Sequence, residues 1–268
     1  MKLLQKAKKS LGQNFLIDKN IISKIVKIGN INSDKNVMEI GSGYGNLTES
    51  ISLLNPKKIF AIEKDKNLYS FLKKKFIRND NINIYNKDIL HLIHEDFFEK
   101  DTIVFGNLPY NSSTKILSEL ILQKKWPPWY EILVLMFQKE VAERIIAKTN
   151  TKQFSRLTVL SNWRMDIKKH FDISNNCFFP KPKVTSTVLS FKPKKNFKFT
   201  LNDPKNLEKV TRILFSNRRK MINKNFNKLF EKNKDVAKKL NIDLSKRAGE
   251  LNCEMFYKIA AEYEHLFY

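Results

Sequence analysis

The chain has 268 residues, 42% of them hydrophobic and 12% aromatic, which excludes a disordered chain and allows one large domain or two smaller ones. Fifty Lys and Arg against 27 Asp and Glu leave a net charge of +23, a balance that seeks polyanions. Lysine-rich composition explains a high total but not its uneven placement. Residues 192–234 carry fourteen Lys/Arg against only Asp203, Glu208 and Glu231, which favours nucleic acid as partner.

A membrane surface is the rival, but no apolar segment approaches spanning length, and the basic N-terminus lacks the apolar stretch of a secretory signal. Cys177 and Cys253 stand far apart with no C-x-x-C, so neither a disulfide framework nor a metal site is expected, and a reducing cytoplasm is the default. His91 and His94 form an H-x-x-H beside Glu95 and Asp96, without the further ligands a metal needs; a solvated acidic segment explains them.

Along the chain, apolar runs at 37–40, 58–62, 82–85, 103–105 and 132–136 predict strands. Between them, L-Y-S-F-L-K-K-K-F and T-K-I-L-S-E-L-I-L are apolar at helical spacing. Alternating strands and helices predict parallel strands joined by right-handed crossovers in a doubly wound, Rossmann-like α/β sheet. A helix follows at Q-K-E-V-A-E-R-I-I-A-K, then the loop F-F-P-K-P-K and a late strand, V-T-S-T-V-L-S-F. Charge and proline at 191–200 mark a linker, and only short helices are expected from Asn206 onward. The expected division is an α/β domain over 1–195 and a small basic helical domain over 196–268.

Ligands of open α/β sheets sit beyond the carboxyl ends of the strands, so those ends are where chemistry is sought. The first ends in E-I-G-S-G-Y-G-N-L-T. In a chain with seven glycines, Gly41, Gly43 and Gly45 fall within five residues, where a ligand can approach the backbone closely. The spacing is not the G-x-G-x-x-G of dinucleotide binding. The second strand ends at Glu63, suited to ribose hydroxyls; after the third comes Asp88, suited to an exocyclic amine. Either acid alone is equally at home as a helix N-cap or solvated loop residue. Together with the glycines and Asn107 at the fourth strand end, they describe a nucleoside pocket.

Beside that pocket lies Asn107-Leu108-Pro109-Tyr110. A base amine is a poor nucleophile because its lone pair is delocalised into the ring. The Asn107 side-chain oxygen and a backbone carbonyl of Leu108-Pro109 can accept its two N–H groups and draw the nitrogen towards sp³. Tyr110 then stacks on the base, and nothing is asked of its hydroxyl. The chemistry described is methyl transfer from S-adenosylmethionine to a base amine.

These motifs resemble the ribosomal RNA adenine N6,N6-dimethyltransferases, in particular the KsgA-type small-subunit (16S) group of bacteria. The likeness runs from K-S-L-G-Q-N-F-L through E-I-G-S-G-Y-G-N-L-T, F-G-N-L-P-Y-N-S-S-T and M-F-Q-K-E-V-A-E-R-I to F-F-P-K-P-K-V-T-S-T-V and S-N-R-R-K. It implies a class I S-adenosylmethionine-dependent methyltransferase that dimethylates two adjacent adenosines near the 3′ end of 16S rRNA. The implied setting is a monomer acting on the immature small subunit, with a role in its maturation. Asn14 and Leu16 would touch the cofactor from an N-terminal lid, with Gly41, Glu63, Asp88 and Asn107 completing the site. Phe178 would be a second aromatic wall of the base slot. Ser42 stands where many relatives carry Pro, and Tyr44 where many carry a smaller or aliphatic residue. Arg218, Arg219 and Lys220 read as RNA phosphate contacts. The rivals are action on large-subunit rRNA or DNA adenine, a non-catalytic assembly factor, and an NAD-dependent oxidoreductase; the intact glycine cluster and Asn107–Tyr110 slot speak against the second, and the third would want the longer glycine spacing and a catalytic polar group near the nicotinamide.

Overall fold

Five apolar runs separated by amphipathic helices can be buried on both faces only as the centre of a layered sheet. The computed structural model, which describes residues 13–93, 98–231 and 234–268, builds that sheet. The chain divides into two compact units: residues 1–120, 127–142 and 167–193, and residues 121–126, 143–166 and 194–268. The second unit resumes within the linker expected at 191–200 and also takes in two earlier segments that the sequence reading assigned to the α/β part.

In the first unit β1 (Phe15–Leu16) precedes α1 (Lys19–Ile28), then β2 (Asn36–Ile40), α2 (Asn46–Ser52), β3 (Lys58–Ile62), α3 (Lys66–Lys75) and β4 (Ile82–Tyr85). After α4 (Ile89–Leu92) come β5 (Thr102–Asn107), α5 (Ser113–Ile121), β6 (Tyr130–Gln138) and α6 (Lys139–Ile145). Beyond α7 (Arg156–Arg164), which belongs to the second unit, follow β7 (Met165–Ile173), β8 (Phe178–Phe179) and β9 (Ser186–Pro193). The large sheet is ordered β4-β3-β2-β5-β6-β9-β7, and β4 to β6 run parallel as expected. β9, the late strand expected at V-T-S-T-V-L-S-F, pairs antiparallel with β6. Strand β7 was not foreseen, because M-D-I-K-K-H-F-D-I carries charges where a buried strand carries Val and Ile. It lies at the sheet's edge, where charge blunts unwanted pairing. β1 and β8 form a separate antiparallel pair.

Strand order reverses between β2 and β5, which pair Ile40 with Gly106. The glycine-rich turn and Asn107 therefore leave the sheet side by side at the switch point, where such folds bind ligands. Aspartates after the strand ends start the next helices. Asp65 caps α3 by accepting from the Asn67 N–H at 2.8 Å, and Asp88 caps α4 by accepting from the Leu90 N–H at 3.0 Å.

The second unit is helical apart from the start of β7. It packs α8 (Lys205–Leu214) with α11 (Cys253–Phe267), and includes α9 (Asn223–Leu229) and α10 (Lys234–Lys239). α8 buries Leu207, Val210, Thr211 and Leu214, the i, i+3, i+4, i+7 stripe of an amphipathic helix. Glu264 of α11 accepts from the N–H groups of Asn202 and Asp203 and from Asn206 Nδ2, at 2.7–2.8 Å, which closes the entry to α8. Buried Arg164 lies over the Trp163 ring at 3.8 Å and donates to the Gln123 carbonyl. Among the described residues, no helix is long and apolar enough to cross a membrane.

Candidate active site

Gly41, Gly43 and Gly45 all adopt positive φ, at 75°, 55° and 73°. At Gly43 a side chain is excluded twice, because a Cβ there would lie 2.8 Å from the Phe15 ring. Gly45 serves packing rather than a ligand. Its Cβ would meet Phe76 at 2.7 Å and Leu72 at 2.8 Å, so the glycine lets α2 start close against α3. Lys75, in the last turn of α3, holds the same loop by donating to the Tyr44 carbonyl at 3.2 Å and to Glu49 at 2.8 Å.

A cleft of about 1100 Å³, open mouth included, lies at these strand ends. Gly41, Gly43, Glu63, Asp88 and Asn107 line it with Gln13, Asn14, Phe15, Leu108, Pro109 and Tyr110. Glu63 is 7% exposed; its two carboxylate oxygens accept from the Gly43 and Asp65 N–H groups, each at 2.8 Å. Burial raises its pKa, and the N–H groups of Asp65 and Gly43 oppose the shift without cancelling it. Asp88 is engaged twice within the protein and also lies at the cleft. It caps α4, pairs with Lys64 at 2.8 Å, and lines the cleft. Its burial works to raise the pKa, but the hydrogen bonds from Lys64 and Leu90 win and hold it below the usual carboxylate range.

Asn107 is the last residue of β5, and its Nδ2 donates to the Asn14 carbonyl at 2.7 Å. One of its two N–H groups is thereby used and the amide's orientation fixed, and Oδ1 is the acceptor left for a ligand. The Pro109 carbonyl accepts from the Ser112 and Ser113 N–H groups at 3.0 and 2.9 Å, opening α5. Of the two carbonyls of Leu108-Pro109, that of Pro109 is therefore already engaged. The Tyr110 hydroxyl, of which the sequence reading asked nothing, is bonded to Ser186 Oγ at 2.8 Å.

The family described as "Ribosomal RNA adenine dimethylase" matches residues 4–265. The chain is 51% identical over 261 residues to the "Ribosomal RNA small subunit methyltransferase A" of Pelagibacter ubique, covering 97% of this chain and 98% of that one. It is 40% identical to the protein of that name from Malacoplasma penetrans, covering 97% and 93%. The chain belongs to the ribosomal RNA adenine dimethylase family. Among solved structures, a dimethyladenosine transferase from Plasmodium falciparum superposes with a TM-score of 0.73 at 28% identity, covering 94% of this chain and 98% of that one. The 23S rRNA methyltransferase ErmE superposes at 0.65 with 20% identity, covering 94% and 99%, a likeness of fold.

An rRNA adenine dimethylase needs a methyl donor of the S-adenosylmethionine type, and the cleft suits one. Glycine backbone at the switch point gives a close approach, two carboxylates offer hydrogen-bond acceptors, and Ile40, Ile62, Leu68 and Ile89 add apolar wall. Two residues carried over from the family's pattern are not on the cleft wall. Leu16 is buried in β1, and it is Phe15 beside it that faces the cleft, because neighbouring strand residues point to opposite sides. Leu16 contributes its carbonyl, which accepts from Asn46 Nδ2 at 2.8 Å. Phe178 pairs with Leu16 in the two-stranded sheet and is 3% exposed in the core, while Phe179 next to it is 42% exposed. Asn86 was missed by sequence reasoning; its Nδ2 donates to the Glu63 and Lys64 carbonyls at 2.9 and 3.1 Å and holds the end of β3. An Asn beside an acid at a strand end was its one sequence signal.

In the second unit Arg218, Arg219 and Lys220 are all exposed. Arg218 donates to the Thr151 and Lys152 carbonyls, so part of its guanidinium already serves its own unit. Arg219 and Lys220 border a surface hollow with Lys224 and Arg247. His94, Glu95 and Asp96 of the H-x-x-H segment, and Lys9 to Gly12 of the first resemblance motif, lie outside the described residues.

Proposed function

We propose that this protein uses S-adenosylmethionine to dimethylate N6 of two adjacent adenosines near the 3′ end of 16S rRNA, in the cytoplasm, as a step in small-subunit maturation. The observation that carries the reading is the bond from Asn107 Nδ2 to the Asn14 carbonyl, which fixes the amide and leaves Oδ1 as its acceptor, at a cleft that Leu108, with its own carbonyl, also lines. Those two oxygens receive the two N–H groups of an adenine amine and draw its lone pair out of conjugation. The ring of Tyr110 stacks on the base. S-adenosylmethionine supplies the electrophilic methyl group. Glu63 and Asp88 accept from its ribose and adenine, and the 13–16 segment covers the cleft from above the glycine turn.

No ionised base is required, because an alkylated amine nitrogen is acidic and releases its proton to water. After one transfer a single N–H remains for one of the two acceptors, so the same slot admits a second methyl group. Choice of the small subunit is supported by the 51% identity to a relative carrying that name. Arg219 and Lys220 in the second unit supply phosphate contacts, with Arg218 contributing what its own carbonyl bonds leave free. We take the working form to be a monomer. Labelled S-adenosylmethionine offered with unmethylated 30S particles, naked 16S and 23S rRNA, and DNA tests the proposal. Dimethyladenosine confined to the small subunit is expected, and label in 23S rRNA or DNA alone would overturn the assignment.

A further inference from the structure

The strand β9 enters the sheet at a level that matters for the base slot. Asn107, the last residue of β5, is paired with Met136 of β6, which is paired in turn with Val188 of β9. Ser186, paired with Gln138, therefore stands two residues, or about 7 Å, beyond the level at which β5 ends. Tyr110 lies three residues past the same end. Ser186 is 1% exposed, and its position is fixed from the preceding residue by the Lys139 N–H, which donates to the Thr185 carbonyl at 2.9 Å. Its hydroxyl meets the half-buried Tyr110 hydroxyl at 2.8 Å across 76 residues of chain.

From this placement we infer that Ser186 is a positioning residue for the reaction: its hydroxyl, held at the end of β9, sets the direction in which Tyr110 extends its ring toward the target base. The inference rests on the reading of Asn107–Tyr110 as the base slot. An aromatic side chain can swing about its Cα–Cβ bond, and stacking has a stereochemical use only if the ring's place is set before the base arrives. Pro109 restricts the backbone on one side; the Ser186 bond restrains the far end of the ring, some 6.5 Å from Cα by ordinary bond lengths. Burial raises the Tyr110 pKa, so the phenol stays protonated at neutral pH and the pair remains a hydroxyl–hydroxyl bond.

The test is a double-mutant cycle on the full chain with unmethylated 30S particles as substrate. Ser186→Ala and Tyr110→Phe break the same bond from opposite sides, and the second leaves β9 untouched. Each is expected to lower kcat roughly three- to tenfold, the range of one modest hydrogen bond, with KM for 30S unchanged. The double variant should be no slower than the worse single one. Active-site concentration, from S-adenosylhomocysteine titration by calorimetry, corrects for any loss of folded protein. A bond that merely stabilises the fold would lower Tm while leaving kcat per active site intact, and that result overturns the inference. Multiplying losses in the double variant overturn it as well. A wild-type protein that methylates no RNA would instead overturn the functional reading beneath it.

Discussion

Of the groups on the Asn107 side-chain amide, one N–H is already used and the oxygen is not. Asn107→Ala removes the acceptor for the base amine and the tie to the 13–16 segment together, so turnover should vanish in a 30S methylation assay; near-normal kcat would end the proposed role. Glu63 is a harder case, because both its oxygens hold N–H groups in the protein itself. Glu63→Ala should weaken S-adenosylmethionine binding by roughly 1.5–3 kcal/mol in calorimetry, and it should also lower Tm, since two buried N–H groups lose their acceptor. Unaltered affinity would refute the ribose assignment. At Tyr110, complete loss of the ring should cost more than loss of the hydroxyl. Tyr110→Ala is expected to reduce kcat/KM for RNA by about one to two orders of magnitude, the worth of one stacked base, with cofactor affinity nearly intact.

The turn between β2 and α2, which lines the proposed cofactor site, is held from both flanks. On one flank Glu39, 2% exposed within β2, accepts from the Thr48 hydroxyl of α2. Burial pushes the Glu39 carboxyl up to about 8, against the opposing hydrogen bond from Thr48. The folded form therefore keeps its proton where the unfolded chain, near 4.5, has lost it. That contribution to stability is whole below about pH 4.5 and is lost as pH rises towards 8, at up to about 1.36 kcal/mol per unit. Glu39→Gln removes the titration while keeping an acceptor for Thr48. Its Tm relative to wild type should climb between pH 5 and 8, and parallel Tm curves would contradict the buried neutral carboxyl. On the other flank, Gly45→Ala places a methyl group at 2.7 Å from Phe76 in a left-handed conformation. Strain of that kind costs about 1–3 kcal/mol and should be visible as a lower denaturation midpoint.

For the whole molecule, the charge of +23 makes RNA binding a salt-dependent property. Because Arg218 already donates to the Thr151 and Lys152 carbonyls, the three basic residues are not equivalent. Replacing Arg219 and Lys220 with Ala should flatten the log–log salt dependence of RNA binding by roughly 1.5–2 units and leave cofactor affinity alone. Arg218→Ala should add little to that slope and lower Tm instead. A full unit of slope from Arg218 would show that its guanidinium faces phosphate rather than its own unit.

The parallel strands were legible because buried strands need short runs that are mostly apolar: Ile59–Ile62 is apolar throughout, Val37–Ile40 apart from Glu39, and Ile82–Tyr85 apart from Asn83. The Gly41–Gly45 cluster, Glu63, Asp88 and Asn107 were legible for a related reason: strand ends at a switch point converge whatever the intervening helices contain. Edge strand β7 and the division into units were not legible, because charged edge residues lack a strand's apolar period and compactness depends on contacts between distant segments. Chain order likewise carries no sign of which atom of a side chain is already spent. Asn107 Nδ2 on Asn14, the Pro109 carbonyl on Ser112 and Ser113, and the Tyr110 hydroxyl on Ser186 are pairings of fixed direction and distance. Sequence alone determined which residue types meet at the strand ends. Only the tertiary structure decided which of their donors and acceptors remain for a ligand, since hydrogen bonds select among atoms a few ångströms apart that the sequence cannot order.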